Sequence, residues 1–262
     1  MTPRKALRSA FVGWFSFMLL AASVSVSRAQ SIALILFIRT AGETETGESI
    51  LFTANSGAKI VTIGSNGLDF DVPFDLTSGD AMICDNPSMA HNPVVTFHKR
   101  SVFQLAFDQA ENSTPEGTGQ VGGAANNFAA MGSLLSMWPN QATYDSVAYR
   151  NLYAGVDLTL AGQNSQLNAT FRLAAGDAPS KISWHYTRAD YVYLATNGDL
   201  RVYGHDGGML VVSAPHAWQS QAGVQVPVTI SYTISPEYNI QLTVPFGSYD
   251  PTLPLLITFV PD

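Results

Sequence analysis

The stretch Tyr149-Arg150-Asn151-Leu152-Tyr153-Ala154-Gly155-Val156-Asp157-Leu158 is followed, a short loop later, by an alternating segment, Gln166–Leu173. In that segment every second residue is apolar (Leu167, Ala169, Phe171 and Leu173), and the residues between them are polar. Successive side chains of a β-strand point to opposite faces, so this alternation indicates a strand in a sheet with one buried face. The central stretch is therefore predicted to lead into an antiparallel sheet.

Three later segments repeat the alternation, namely residues 181–187, 228–234 and 238–244. Asn197-Gly198, Asp206-Gly207 and Ser235-Pro236 separate segments of this kind, and they are typical of the tight turns that join antiparallel strands. Many short strands with regular turn signals predict an all-β fold with an antiparallel β-sandwich-like arrangement.

Two segments depart from this pattern. In residues 128–138 the apolar residues Met131, Leu134, Leu135 and Trp138 recur at intervals of three and four, which favours one short helix. Residues 109–126 are rich in Pro, Gly, Ser, Thr and Asn. They predict a surface loop, which is also the candidate boundary between two subdomains.

The N-terminus has the composition of a secretory signal peptide. Arg4, Lys5 and Arg8 precede an apolar run, and Ser27-Arg28-Ala29 offers a small-x-small cleavage site. We expect residues 1–29 to be the leader and residues 30–262 to form a single β-rich domain. An uncleaved signal anchor is the alternative, because residues 9–27 also have the length of a spanning helix.

Charge and cysteine content bound the range of partners. The formal net charge is -7, and cleavage would bring it to about -11, because the leader holds four basic residues and no acidic one. An acidic surface argues against nucleic acid or anionic lipid as a partner.

Cys84 is the only cysteine, so an intrachain disulfide is impossible. It is interpreted as a buried small residue, with a reactive thiol or an intermolecular bridge as the alternative.

The central stretch resembles a family pattern, Y-R-x-V/L-Y-x-G-V-D-L. Further matches are Phe52-Thr53-Ala54-Asn55-Ser56-Gly57, Asn197-Gly198-Asp199-Leu200, Pro215-His216-Ala217-Trp218-Gln219, and Gly247-Ser248-Tyr249-Asp250 with Pro254-Leu255. The family is the uncharacterised β-rich domain found at the N-terminus of cell-surface proteins with SBBP (β-propeller-type) repeats. The resemblance implies a β-rich surface module and no established activity. Because residues 257–262 lack the I-D-P motif that leads into the repeats, we expect a free-standing copy.

The best match is carried by Tyr149, Arg150, Gly155 and Asp157. Arg150 and Asp157 are interpreted as a charge pair that locks the turn at Gly155. This role is structural, and ligand binding by the same two side chains is the alternative.

Metal-binding and catalytic patterns are missing from the sequence. The histidines (His91, His98, His185, His205 and His216) have no HExxH or H-x-H spacing, and Asp69, Asp71 and Asp75 lack the loop of an EF-hand. The Gly-x-Ser-x-Gly elbow of serine hydrolases is also missing. We therefore predict no catalytic residue, no metal and no cofactor.

A pair of carboxylates for glycoside cleavage is left open, because sequence alone cannot bring two acids together across a groove. The available acids are Asp157, Asp199, Asp206 and Asp250.

Two acceptor sequons predict N-glycosylation at Asn112 and Asn168. Exposed aromatic side chains on a sheet would suit carbohydrate stacking, but Trp184 shares the apolar face of its strand with Ile182 and Tyr186. It is predicted to pack in the core.

These observations together predict a secreted, non-catalytic module of the cell surface that acts in extracellular binding, adhesion or surface architecture. The expected partner is an extracellular protein or a carbohydrate, with no nucleic acid and, after cleavage of the leader, no membrane. A secreted carbohydrate-active enzyme that uses loop carboxylates is the alternative.

Overall fold

The computed structural model describes residues 35–43, 49–77, 96–131 and 134–261. The predicted leader, Cys84 and His91 lie outside the described residues. Within those residues, an apolar helix long enough to cross a bilayer is not found.

The described residues form eighteen strands and one 3-10 turn, Pro179–Lys181. The strands are β1 (Phe37–Glu43), β2 (Ser49–Ser56), β3 (Lys59–Gly64), β4 (Gly67–Thr77), β5 (Thr96–Phe107), β6 (Glu116–Met131), β7 (Leu134–Tyr153), β8 (Val156–Gln163), β9 (Gln166–Leu173), β10 (Ser183–Tyr186), β11 (Tyr191–Leu194), β12 (Leu200–Tyr203), β13 (Met209–Val212), β14 (His216–Gln221), β15 (Val224–Val228), β16 (Ser231–Ile234), β17 (Ile240–Thr243) and β18 (Leu255–Phe259). All strand pairs are antiparallel within this part of the chain, and the all-β, sandwich-like prediction is confirmed.

The prediction of a short helix at residues 128–138 is wrong. Residues up to Met131 belong to β6 and residues from Leu134 belong to β7, with Asn127 opposite Trp138 and Phe128 opposite Met137. Apolar residues spaced by three and four do not by themselves separate a helix from two strand arms. Here the neighbouring arm supplies the backbone hydrogen bonds, which overrides a weak local preference for helix.

The prediction of a surface loop at residues 109–126 is correct only as far as Pro115, because β6 begins at Glu116. A β-ladder is held by backbone groups, so small and polar residues can form it when a long partner strand is present. Gly117 also has a packing reason, since a Cβ at this position would lie 2.5 Å from Cγ of the Tyr144 ring.

One strand connects the two halves of the large sheet, whose order is β15-β14-β18-β9-β8-β7-β1-β2-β3-β4-β5-β10-β17-β16, with β6 paired to β7. Ser146 of β7 lies between β6 and β8, whereas Tyr144 lies between β6 and β1. The strand therefore leaves one group of strands and joins the other along its length.

The two ends of this order also meet. Its first and last strands, β15 and β16, are joined by only two residues, 229–230. Three Cα steps span at most about 11 Å, so the sheet must bend round until its end strands approach each other at this point.

A single hydrophobic core lies inside this bent sheet, and Trp184 is fully buried in it, as predicted. Its ring stacks on Phe259 at a centroid distance of 5.5 Å and on Phe171 at 6.4 Å, and it meets Tyr232 edge-on at 6.0 Å. Aromatic pairs in these arrangements add to the area that they bury.

The second sheet is the three-stranded meander β11-β12-β13. Five aliphatic side chains on one of its faces are buried in the same core: Val192, Leu200, Val202, Leu210 and Val212. The other face is open to solvent.

Candidate binding face

The residues of the best-matched motif bind their own backbone neighbourhood. Tyr149 is buried, and its hydroxyl donates to the carbonyl of Gly64 at 2.6 Å, which joins β7 to β3. The carboxylate of Asp157 accepts the Asn151 N–H at 2.8 Å and an Arg150 Nη1–H at 3.2 Å. Gly155 has a φ of +79°, and a Cβ there would collide with the Asp177 carboxylate.

The other matched segments contact one another. Asp199 accepts the N–H of Ala214, the residue before Pro215, at 2.8 Å. Buried Gln219 accepts the N–H of Asp250 at 2.8 Å and donates to the carbonyls of Asp250 and Leu253 at 2.7 and 3.1 Å. These contacts are structural, because each of them joins two parts of the chain.

The acids considered for glycoside cleavage each accept hydrogen bonds from other groups of the chain. Asp206 accepts hydrogen bonds from Ser101 and from the Gly208 N–H, and Asp250 accepts from the N–H and the hydroxyl of Thr252. The Thr252 hydrogen bonds lower the pKa of Asp250. Asp157 and Asp199 hold the backbone groups described above.

The aspartates and histidines considered for metal binding form separate pairs. Asp71 binds Arg100 at 2.7 Å, Asp75 binds His98 at 2.6 Å, and Asp69 has a partner of its own. His185 binds Asp108 at 2.6 Å and His205 lies 3.4 Å from Asp190. In the described ranges, groups of three or more metal-ligating residues are not brought together.

The two sequons lie on different elements. Asn112 is exposed before β6, and Asn168 is half-buried in β9. In the second sequon the hydroxyl of Thr170 lies 3.1 Å from the Thr258 hydroxyl. In the first, the middle residue Ser113 donates to the carbonyl of Arg150 at 2.8 Å. Their glycosylation stays a prediction.

An open cavity of about 550 Å³ lies beside β17. Its lining is mostly apolar and includes Pro179, Pro245, Phe246, Tyr249 and Pro251. The lining contains no carboxylate and no histidine. The cavity could therefore hold a ligand, but it lacks the side chains that most often act as general acids or bases.

The outer face of the meander carries three aromatic rings that stack on one another. We name its side chains Tyr191, Tyr193, Arg201, Tyr203 and Met209 the tyrosine face. Tyr191 is 47% exposed, Tyr193 38% and Met209 37%. Such rings in an exposed position are open to a ligand.

The three tyrosine rings form one stack. The Tyr203 ring lies 4.7 Å from that of Tyr191 at an interplanar angle of 12°, and 5.8 Å from that of Tyr193 at 14°. Tyr203 therefore lies parallel to both neighbours and is only partly exposed, while Tyr191 and Tyr193 keep exposed ring surface.

Arg201 lies across from Tyr193 in the register of β11 and β12. Interaction with the hydroxyls of Tyr203 and Tyr193 raises the pKa of Arg201, so the guanidinium stays charged. Its Nε is buried without an acceptor in the described part of the chain, and no described carboxylate lies within ion-pair distance of it.

The meander is fixed firmly on the large sheet. A Cβ on Gly208 would collide with the side chain of Ser101, and one on Gly204 would lie 3.3 Å from the Phe103 ring. Asp206, in the turn before β13, accepts the hydrogen bond of buried Ser101. The tyrosine face therefore stands on a rigid support.

Met209 connects the tyrosine face to a shallow concavity of about 370 Å³. Lys59, Pro73 and Ser165 also line it, and its lining contains no carboxylate.

The turn signals Asn197-Gly198 and Asp206-Gly207 predicted strands on either side of them, but the sequence reasoning missed the face. The available signal was the alternation in Tyr191-Val192-Tyr193 and in Leu200-Arg201-Val202-Tyr203, where aliphatic residues occupy one face and tyrosines the other. Which tyrosines stack depends on the register between strands, and a single strand does not reveal it.

Comparisons with known proteins give one family. A domain of unknown function, DUF7948, matches residues 37–258, well over half of the 262 residues. Curated proteins give no match, and solved structures give none either. The match spans the described strands from β1 to β18, including the meander that carries the tyrosine face. The chain therefore belongs to the DUF7948 family of domains of unknown function.

Proposed function

We propose that this protein is a non-catalytic binding module of the cell exterior, and that it holds its partner on the tyrosine face. The observation that carries the proposal is a stack of three tyrosines beside an arginine that has no carboxylate partner among the described residues, on a firmly supported sheet.

Tyrosine, arginine and methionine are the side chains enriched at protein interfaces, and tyrosine and arginine dominate their binding energy. Tyrosine offers a large amphipathic surface and loses little conformational entropy when it is held. The stack holds the rings before any ligand arrives, which lowers that loss further.

The location and the kinship with SBBP-associated domains belong to the same proposal. The basic and apolar N-terminus supports export, and the segments around Tyr149 and Gly155 support the kinship. An extracellular protein or a carbohydrate is the expected class of partner.

The carbohydrate-active alternative has less support. Asp206 and Asp250 take part in local turn hydrogen bonds, and the larger cavity has no acid in its lining. Glycoside cleavage needs two carboxylates facing each other across the substrate.

A retention assay tests the proposal. The full chain is expressed with its N-terminus, and binding to the surface of the producing cells is compared for wild type and the double variant Tyr191→Ser/Tyr193→Ser. We expect retention to fall about tenfold, because the variant removes both free ring faces.

The matched control is Tyr238→Asn, which removes an exposed tyrosine from the β16–β17 turn and keeps a residue that tolerates its positive φ of 62°. Equal retention of wild type and double variant, with unchanged melting curves, would reject the tyrosine face. Release of reducing sugar from polysaccharides by the purified protein would reject the non-catalytic assignment.

A further inference from the structure

We infer that the tyrosine face binds an acidic segment of polypeptide and holds one of its carboxylates on Arg201. This inference rests on the proposed function, because it names the ligand class of the same face.

The charge of Arg201 has no counter-ion in the described residues, unlike those of Arg100, Arg150 and Lys181, which each lie beside an aspartate. Its neighbours across the two strand pairs, Tyr193 and Val211, are uncharged. Arg201 is therefore a local positive charge without a carboxylate partner, and such a charge can hold an acidic group even though the protein as a whole is acidic. A carboxylate is the acceptor that this group binds through two parallel hydrogen bonds.

The charges around the face differ between its two ends, and this difference would orient an acidic ligand. Beyond Met209 the concavity is lined by Lys59 and contains no acid, and Arg100 donates to the carbonyl of Ala58 in its lining at 3.4 Å. At the opposite end Asp190 lies beside Tyr191 in sequence. We therefore expect the acidic side chains of the ligand to lie near Arg201 and Lys59 and away from Asp190.

The stack favours a polypeptide over a polysaccharide. A sugar ring packs on an open aromatic face, and the central ring, Tyr203, lies parallel to both neighbours and is only partly exposed, which leaves a sugar the two outer rings alone. Met209 lies opposite Tyr203 in the register of β12 with β13, so the face also offers an apolar thioether beside the tyrosines and Arg201. This mixture of polar and apolar groups is the composition found at the centre of protein interfaces.

Peptide titration with the full chain tests the inference. The probe is a synthetic peptide of alternating glutamate and leucine, and its counterpart carries glutamine in place of every glutamate. We expect binding of the glutamate peptide only, and an affinity about tenfold lower in Arg201→Gln. The affinity is also expected to fall with added salt, since charges on a surface are screened.

Arg172→Gln is the matched control, because it removes one positive charge from an exposed position of β9, which belongs to the large sheet and not to the meander. Its affinity should equal that of wild type, while Arg201→Lys should retain part of the binding. Melting curves separate a lost contact from a lost fold.

Each other outcome overturns the inference. An equal loss of peptide affinity in Arg201→Gln and Arg172→Gln would mean nonspecific electrostatic attraction. If the protein binds polygalacturonate but does not bind the glutamate peptide, the ligand is an acidic polysaccharide. Binding of neither probe, with retention on cells still dependent on Tyr191 and Tyr193, rejects the acidic peptide and leaves the proposed function intact. If retention is also independent of those tyrosines, the proposed function fails as well.

Discussion

Single residues in this protein do much of their work on the backbone. Asp157 is half-buried and accepts the N–H of Asn151, a residue with a φ of +48°, whereas its partner Arg150 is 62% exposed at the side chain. A hydrogen bond that holds a strained turn stabilises more than an exposed ion pair, which solvent screens.

The first prediction separates these two contacts. Asp157→Ala is expected to lower the free energy of unfolding by about 1–2 kcal/mol, because the Asn151 N–H loses its acceptor. Arg150→Gln is expected to change it by about 0.5 kcal/mol or less, since the ion pair is exposed. Urea unfolding of both variants measures the difference, and an equal loss would assign the stability to the ion pair.

The sequence resemblance singled out Tyr149, Arg150, Gly155 and Asp157, and each of them has a structural role in the fold. The pairing of Asp157 with the N–H of Asn151 lay beyond it, because the bond depends on a bulge between Tyr149 and Tyr153 in the register of β7 with β8. A register shift changes which backbone groups lie opposite each other. The sequence of a single strand does not show where such a shift occurs.

At the scale of elements, alternation predicted the strands of residues 166–173 and 181–187 because each strand has one buried and one open face. It failed for residues 128–138 and 116–126, where the long hairpin β6–β7 is held by its own ladder. Non-local pairing decides such segments, and local periodicity carries little information about it.

Buried Gln219 shows how elements are joined at their ends, and it supports the second prediction. Its amide makes three hydrogen bonds to Asp250 and Leu253, which tie β14 to the turn before β18. Gln219→Leu should lower the free energy of unfolding by about 2–3 kcal/mol, because those backbone groups lose their partner in a buried site.

Gln221→Leu is the control for this substitution, because Gln221 is exposed at the end of the same strand. Chemical unfolding should show a change of less than about 0.5 kcal/mol for it. Similar losses in the two variants would mean that leucine itself is poorly tolerated in β14, and the contacts of Gln219 would not be the cause.

At the scale of the whole molecule, both sheets share one core. Four buried tyrosines lie within it, and burial raises the pKa of each above the ordinary value of 10.0: Tyr149, Tyr153, Tyr186 and Tyr232. They belong to three different strands of the large sheet, β7, β10 and β16. Their ionisation is therefore linked to unfolding of the domain as a whole.

The third prediction follows from the sign of this linkage. Below pH 10 these tyrosines are neutral in both states, so their contribution is fully present. Above pH 10 the unfolded chain loses their protons while the folded protein keeps them, and stability falls by about 1.4 kcal/mol per pH unit for each tyrosine. Urea unfolding at a series of alkaline pH values measures the slope.

The double variant Tyr149→Phe/Tyr232→Phe should have a shallower slope by the share of two tyrosines. The variant Tyr191→Phe/Tyr238→Phe removes two exposed hydroxyls, so its slope should stay closer to that of the wild type. Tyrosinate absorbance that rises fully before the protein unfolds would show that the buried hydroxyls ionise in the folded state, which contradicts the linkage.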